Sequence, residues 1–351
     1  MANSRYACVN AKIMAMRAKM LSDEDYRQMI REPDLNGVFN YLKNETYYAP
    51  FLKNVETSHL HRQAVEIPLN RMQIFEIEKI MHFLYDKDKR VLNSFLVKAD
   101  VEALRLLIRG LSRGANITEI APMLVYSKKY STLPMDNLIK AKSWDEFKKF
   151  LIGTDYYRIL EIYKTLSIDE DLFPIEKSLE RHYYDQLRRL INQLPQKENN
   201  KLILTLKKGI DLLNLIWFYR GKKFYHLSRE ELLAYALRGG LRIKTEDIQQ
   251  LTEIKTMDDF KQVIARPQYN EYAFLFNHTK SLDLHMERRR ERFQYYAFKS
   301  LYNSNDTGLS KPFAFIRMID FEIADIVSII ESKRYRMSAT DTEEFLIRSF
   351  N

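Results

Sequence analysis

Three stretches of this chain share one register. Ile30, Phe39 and Tyr48 recur as Leu138, Phe147 and Tyr156, and again as Leu251, Phe260 and Tyr269. Each set places an aliphatic residue nine before a Phe and a Tyr nine after it. The Phe positions lie 108 (147 − 39) and 113 (260 − 147) residues apart. A period of this size marks a unit copied along the chain, so three related units of about 110 residues should follow one another. The shared register predicts Phe39, Phe147 and Phe260 at equivalent buried positions, and the three Tyr likewise.

A second element recurs with nearly the same period. Leu21-Ser22, Ile117-Thr118, Leu227-Ser228 and Met337-Ser338 each open a helical pattern. Three of the four carry an acid three residues on (Asp25, Glu231, Asp341), the signature of a capped helix start. The Thr118 copy lacks it. Ahead of these caps stand Ile108-Arg-Gly-Leu-Ser-Arg113, Tyr219-Arg-Gly-Lys-Lys-Phe224 and Ile330-Glu-Ser-Lys-Arg-Tyr335. The spacing divides the chain into repeats at 1–100, 101–210 and 211–351, the last including a closing half-repeat at 315–351.

Glycine and proline number only 9 each in 351 residues, while 46% of the chain is apolar. So few breakers favour long helices and disfavour a turn-rich β fold. Helical spacing is clear around Ile77–Leu84 and Val101–Leu111, over 175–193 and 200–219 with a break at Leu194-Pro195, over 281–302, and over 313–331. In the last of these Ile316, Ile319, Ile323, Ile326 and Ile330 form an apolar stripe, with Asp320, Glu322 and Asp325 off it. Period-2 alternation is nowhere sustained. The expected fold class is all-α.

Lys and Arg (56) exceed Asp and Glu (47) by nine. That excess suits acidic partners but falls short of a nucleic-acid tail. With Cys8 alone there is no intrachain disulfide, and a reducing compartment is expected. Cys8 itself reads as a small buried residue of an amphipathic helix. The opening residues lead into no apolar signal region, and no run is apolar enough to span a bilayer. Phosphate-loop and dinucleotide fingerprints are absent. Gly110-Leu-Ser-Arg-Gly114 reads as a glycine-capped helix end, and His59-Leu-His61 as a surface pair without further metal ligands. Glu287–Arg292 reads as a solvated face with intrahelical ion pairs. No nucleophile and base can be paired, so neither catalytic, cofactor-binding nor metal-binding residues are named. The residues singled out are basic: Arg109, Arg113, Arg220, Lys222, Lys223, Lys333 and Arg334. They recur beside equivalent helix ends, where they either balance a helix dipole or form a rim for a partner.

Three stretches resemble the C subunit of bacterial and archaeal V/A-type rotary ATPases, equivalent to the d subunit of eukaryotic vacuolar ATPases. Tyr6-Ala-Cys-Val-Asn-Ala-Lys-Ile13 is similar to the family's opening Tyr-x-x-x-Asn-Ala-[Arg/Lys]-Ile. The Arg-Gly linkers at 109–110 and 220–221 are similar too. Glu322-Ile-Ala-Asp-Ile-Val-Ser-Ile-Ile-Glu-Ser-Lys-Arg-Tyr335 resembles Glu-Ile-x-Asp-Ile-x-x-Ile-Ile-Glu-Gly-x-Arg-Tyr, with Ser332 in place of Gly. The resemblance implies three similar helical domains about a pseudo-threefold axis, forming a funnel. It implies a non-catalytic, cofactor-free part of the rotor, cytoplasmic and peripheral at the membrane. The implied partners are central-shaft subunits of the D and F type and the membrane rotor ring, with no nucleic acid and no membrane span of its own. The alternative from another class is a helical scaffold binding RNA or acidic peptides through a basic rim.

Overall fold

The structure, a computed structural model, describes residues 6–58, 60–166, 172–254, 256–276 and 285–350. His59 and the first four residues of the 281–302 stretch lie outside the described residues. Among the described residues every regular element is helical, and the chain forms two compact units. One comprises Tyr85–Asn192. The other joins Met1–Leu84 to Gln193–Asn351.

The unit Tyr85–Asn192 begins with a long helix, α6 (Asp86–Ser112). Short helices follow, α7 (Ile117–Ile120), α8 (Met135–Leu138), α9 (Trp144–Phe150) and α10 (Asp155–Leu160), and a long return helix α11 (Phe173–Gln193) completes it. The other unit repeats this order. Long helix α12 (Gln196–Lys223) leads into α13 (Arg229–Tyr235), α14 (Thr245–Glu253) and α15 (Met257–Ile264), then long helix α16 (Met286–Tyr302). The counterpart of α6 and α12 in the last repeat, α17 (Ser310–Arg334), is followed only by α18 (Ala339–Phe345). The start of the chain supplies the rest: α1 (Ala7–Arg17), α2 (Asp23–Arg31), α3 (Leu35–Glu45), α4 (Ala49–Leu52) and α5 (Arg62–His82). Helix α17 packs on α1, α3, α5 and α16, and α18 packs on α2. The two ends of the sequence thus share one core.

Local chemistry explains the short helices. Ser22 and Ser228 form full capping boxes with Asp25 and Glu231, and Ser338 accepts from the Asp341 amide. In the remaining copy the cap is Asn116, whose side chain accepts from Thr118 N, so Thr118 is the second helical residue rather than the cap. An Asn at that place supplies the carbonyl oxygen that orphan amides need. Ser143, Thr154 and Thr256 cap α9, α10 and α15 in the same way.

The Phe register holds: Phe39, Phe147 and Phe260 are fully buried, and Tyr48, Tyr156 and Tyr269 are buried with them. The glycine-capped end of α6 holds, with Gly114 as the cap, and three other readings change. Cys8 is exposed on α1, because the buried face there is Val9 and Ile13. Glu322 and Asp325 are buried, because α17 is packed nearly all round. Gly110 lies inside α6 rather than at its end; a Cβ there would stand 2.3 Å from Ile120 Cδ1, so packing demands the glycine. The turn is made by Gly114, at φ +64°. The arginines of 287–292 form the expected ion pairs, Arg290–Glu287 at 3.0 Å and Arg288–Glu291 at 3.3 Å, but they are not a solvated face. Arg289 donates to Leu275 O at 2.8 Å, and Arg292 to Leu346 O at 2.5 Å. These guanidiniums satisfy helix-end carbonyls that would otherwise be orphaned.

Candidate functional site

The long helices carry the most informative geometry. Asp100, Asp211 and Glu322 are buried carboxylates at one constant interval along the chain (211 − 100 = 322 − 211 = 111), one on each of α6, α12 and α17. Asp211 accepts the backbone amides of Leu241 (3.0 Å), Arg242 (2.7 Å) and Ile243 (3.2 Å), together with the Tyr272 hydroxyl at 2.7 Å. Glu322 accepts the Leu21 amide at 3.1 Å and the Tyr48 hydroxyl at 2.6 Å. Leu21 and Ile243 are themselves separated by twice that interval (243 − 21 = 222). Asp100 faces Tyr156 and is bonded by the Ser131 side chain, but its Oδ1 has no partner. Burial pushes Asp100 and Glu322 up to about 7, and raises Asp211, because a low-dielectric interior disfavours the charged form.

One turn further along, α12 and α17 each carry a second polar residue. Asn214 exchanges two hydrogen bonds with Leu237, donating to its carbonyl and accepting from its amide, both at 2.8 Å. Asp325 accepts from Ile347 N at 2.6 Å and Arg348 N at 3.1 Å. Burial raises Asp325 to about 7 against those bonds. The counterpart on α6 is Ala103. These groups are enclosed by their own chain and hold loops to helices. A small cavity, about 200 Å³, lies between α6 and α11. Arg90, Asn93, Ser94, Tyr183 and Gln186 line it, with no carboxylate or imidazole to act as acid or base.

The seven basic residues fall into different environments. Lys222 reaches the carbonyls of Thr252 at 2.7 Å and Ile254 at 2.5 Å, and Lys333 reaches the carbonyl of Ile30. Each lysine caps the C-terminus of a short helix, α14 or α2, where cations are favoured. Partial burial lowers both lysines from their ordinary value. Arg109 pairs with Glu176 through Nε at 2.5 Å and Nη2 at 2.7 Å; Arg220 meets Glu287 at 3.4 Å. Both pairs span 67 residues, one more sign of a repeated frame. Lys223 lies over the Tyr219 and Phe224 rings, and Arg334 lies 3.6 Å from Glu331 and over the Tyr335 ring. Arg113 is exposed at the end of α6.

All three long helices end alike. Ala115 N returns to Gly110 O at 3.0 Å, Leu227 N to Gly221 O at 3.0 Å, and Met337 N to Ser332 O at 2.9 Å. The turn residues are Gly114, His226 and Arg336, all at positive φ. Such helix ends usually take glycine, so His226 and Arg336 are held there by their surroundings. Ser332 fits because its Oγ donates to Ile329 O at 2.7 Å, whereas a Cβ at Gly221 would lie 2.7 Å from Leu232 Cδ2. Exposed Phe224, Tyr225 and Tyr335 stand beside two of these turns.

The ATP synthase (C/AC39) subunit family model matches residues 9–345, nearly the whole frame just described. The chain belongs to that family. Among its relatives are the C subunits of A-type ATP synthases. That of Methanosarcina mazei is 23% identical over 77% of this chain and 72% of its own length. That of Methanococcoides burtonii is 24% identical, with 77% and 73% covered, and that of Methanocaldococcus jannaschii 24% identical, with 97% and 86% covered. Family membership agrees with the motif around Glu322. No helix among the described residues is long and apolar enough to cross a membrane.

Sequence reading missed Asp100, Asp211, Asn214 and Tyr272, and placed Glu322 and Asp325 outside the core. It took Tyr269 as the Tyr48 counterpart; Tyr269 donates to Asp247, and it is Tyr272 that reaches the helix carboxylate. The signal was present in the Arg-Gly linkers, whose arginines are one such interval apart (220 − 109 = 111). Counting from those linkers aligns the three carboxylates.

Proposed function

We propose that the protein is a non-catalytic rotor component of a V/A-type ATPase that couples the central shaft to the membrane ion-translocating ring. The family match over residues 9–345 carries this reading. In it, the three repeats surround a pseudo-threefold axis as a funnel that seats shaft subunits of the D and F type and rests on the ring. The protein is then cytoplasmic, held at the membrane by its partners, and has no active site of its own. Long helices, two of them with a buried carboxylate bonded by several donors, suit such a part, since torque is passed along a stiff frame. We place the partner-facing basic surface at Arg109, Arg113, Arg220, Lys223 and Arg334, with the neighbouring exposed aromatics. Lys222 and Lys333 serve within the fold, leaving less positive charge for a nucleic-acid surface.

Affinity purification of the chain from its native membranes, followed by mass spectrometry, tests the proposal. Shaft and ring subunits should co-purify. Recovery of RNA or of unrelated proteins in their place would overturn it. Reversing Arg113 and Arg334 to Glu should slow association with the isolated shaft complex or the ring in a salt-dependent way. Unchanged rates with both would remove these residues from the interface.

A further inference from the structure

The three long helices hold their short helices with different strength. On α12 the polar ties are Asp211, Asn214 and Lys222, and on α17 they are Glu322, Asp325 and Lys333, each at the matching place of the next repeat. The same three places on α6 hold Asp100, Ala103 and Leu111. Ala103 and Leu111 have nothing to donate or accept. Asp100 captures no backbone amide of the turn before α8. The Ser131 side chain stands between, accepting from Leu133 N at 3.2 Å and bonding to Asp100, while Asp100 Oδ1 stays buried and unpaired.

A buried acceptor left without a donor costs free energy that a paired one does not. Backbone carbonyls at the end of a short helix also lose a partner where the lysine is missing. Among the short helices that follow α6, α9 packs on both α8 and α10. Trp144 Nε1 and Lys148 Nζ both donate to Tyr163 O, at 2.8 and 3.2 Å, and Ser143 and Thr154 cap their own helices.

From this juxtaposition, an unpaired buried carboxylate with two apolar residues where the other repeats carry tying groups, we propose that α7–α10 form a yielding layer. It opens from α6 as a unit while the layers on α12 and α17 stay closed. Helices α6 and α11 keep their frame during this opening, so the unit Tyr85–Asn192 owns one deformable layer. Openings of this kind are drawn from the least stable cooperative unit of a structure.

Native-state hydrogen exchange of the full-length chain tests this, independently of any partner. Peptides from 117–160 should show protection factors at least tenfold below those from 229–264 and 23–52, with a weaker dependence on denaturant. Leu111→Lys, which restores the lysine of the other repeats, should raise protection in 117–160. Lys222→Met should lower it in 245–253 and leave 117–160 unchanged. Equal protection in all three layers of the unaltered protein, lost together at the global transition, would overturn the proposal, whether or not the variants fold.

Discussion

Asp100 and Glu322 occupy the same register of the repeat, yet one keeps an unpaired oxygen and the other is bonded through both. Their surroundings differ in how far along the chain the partners come from. Asp100 lies in a unit made from one continuous segment, with Ser131 and Tyr156 close in sequence. Glu322 takes its donors from Leu21 and Tyr48, 301 and 274 residues away. Closing so long a loop costs more chain entropy than closing a short one. On α17 the bonds hold the two chain ends together: Glu322 on Leu21 and Tyr48, Asp325 on Ile347 and Arg348, and Arg348 back on Leu21 O at 3.0 Å, whereas Asp211 is bonded as fully by donors only 30–61 residues away. Copying the long-helix frame thus did not copy its polar interior.

The largest effects should be shared by all repeats. Phe39→Ala, Phe147→Ala and Phe260→Ala should each destabilise by about 3–5 kcal/mol in chemical denaturation, since all three sites are fully buried. A far smaller loss at Phe147 alone would break the equivalence at its apolar level. Glu322→Ala should cost about 3 kcal/mol, because the Leu21 amide and the Tyr48 hydroxyl are both left unpaired in the core. Asp100→Ala should cost clearly less in the same assay, and equal losses would erase the contrast between the two sites.

The next effect depends on pH. Folded Asp100 titrates near 7, above the ordinary carboxylate value it regains on unfolding. The folded protein therefore holds that proton to higher pH than the unfolded chain. Its contribution to stability is fullest in acid and is lost as pH rises from about 4 to 7. Asp100→Asn should accordingly stabilise the protein at pH 8 by at least about 1.4 kcal/mol, the worth of one pKa unit, and lose that advantage near pH 4. Thermal melts at the two pH values read this directly; a variant less stable at pH 8 would contradict it. Smallest is Ser228→Ala, a lost cap worth about 1 kcal/mol in denaturant titration, against little for Thr118→Ala, which caps nothing.

Much of this fold was legible because its signals are local. Ser22, Ser228 and Ser338 announce helix starts within four residues, and the Phe and Tyr register needs only counting. Buried carboxylates were not legible in the same way. On a helix an Asp three residues from an Ile looks solvent-facing until the packing is known, and α17 proved to be covered on nearly every side. Lys222 and Lys333 mislead similarly: a lysine at a helix end reads as surface charge, whereas each here reaches across to the carbonyl end of another helix. Thr118 was misplaced because Asn116, two residues earlier, supplies the cap oxygen.

The proposed coupling of shaft to ring is read out in a reconstituted ATPase complex assembled with and without this chain. ATP hydrolysis and ion movement would be measured together in the same sealed vesicles. Omission should leave hydrolysis by the catalytic head but abolish ATP-driven ion transport, and adding the purified chain should restore transport. Ion transport that persists at full rate without the chain would contradict it.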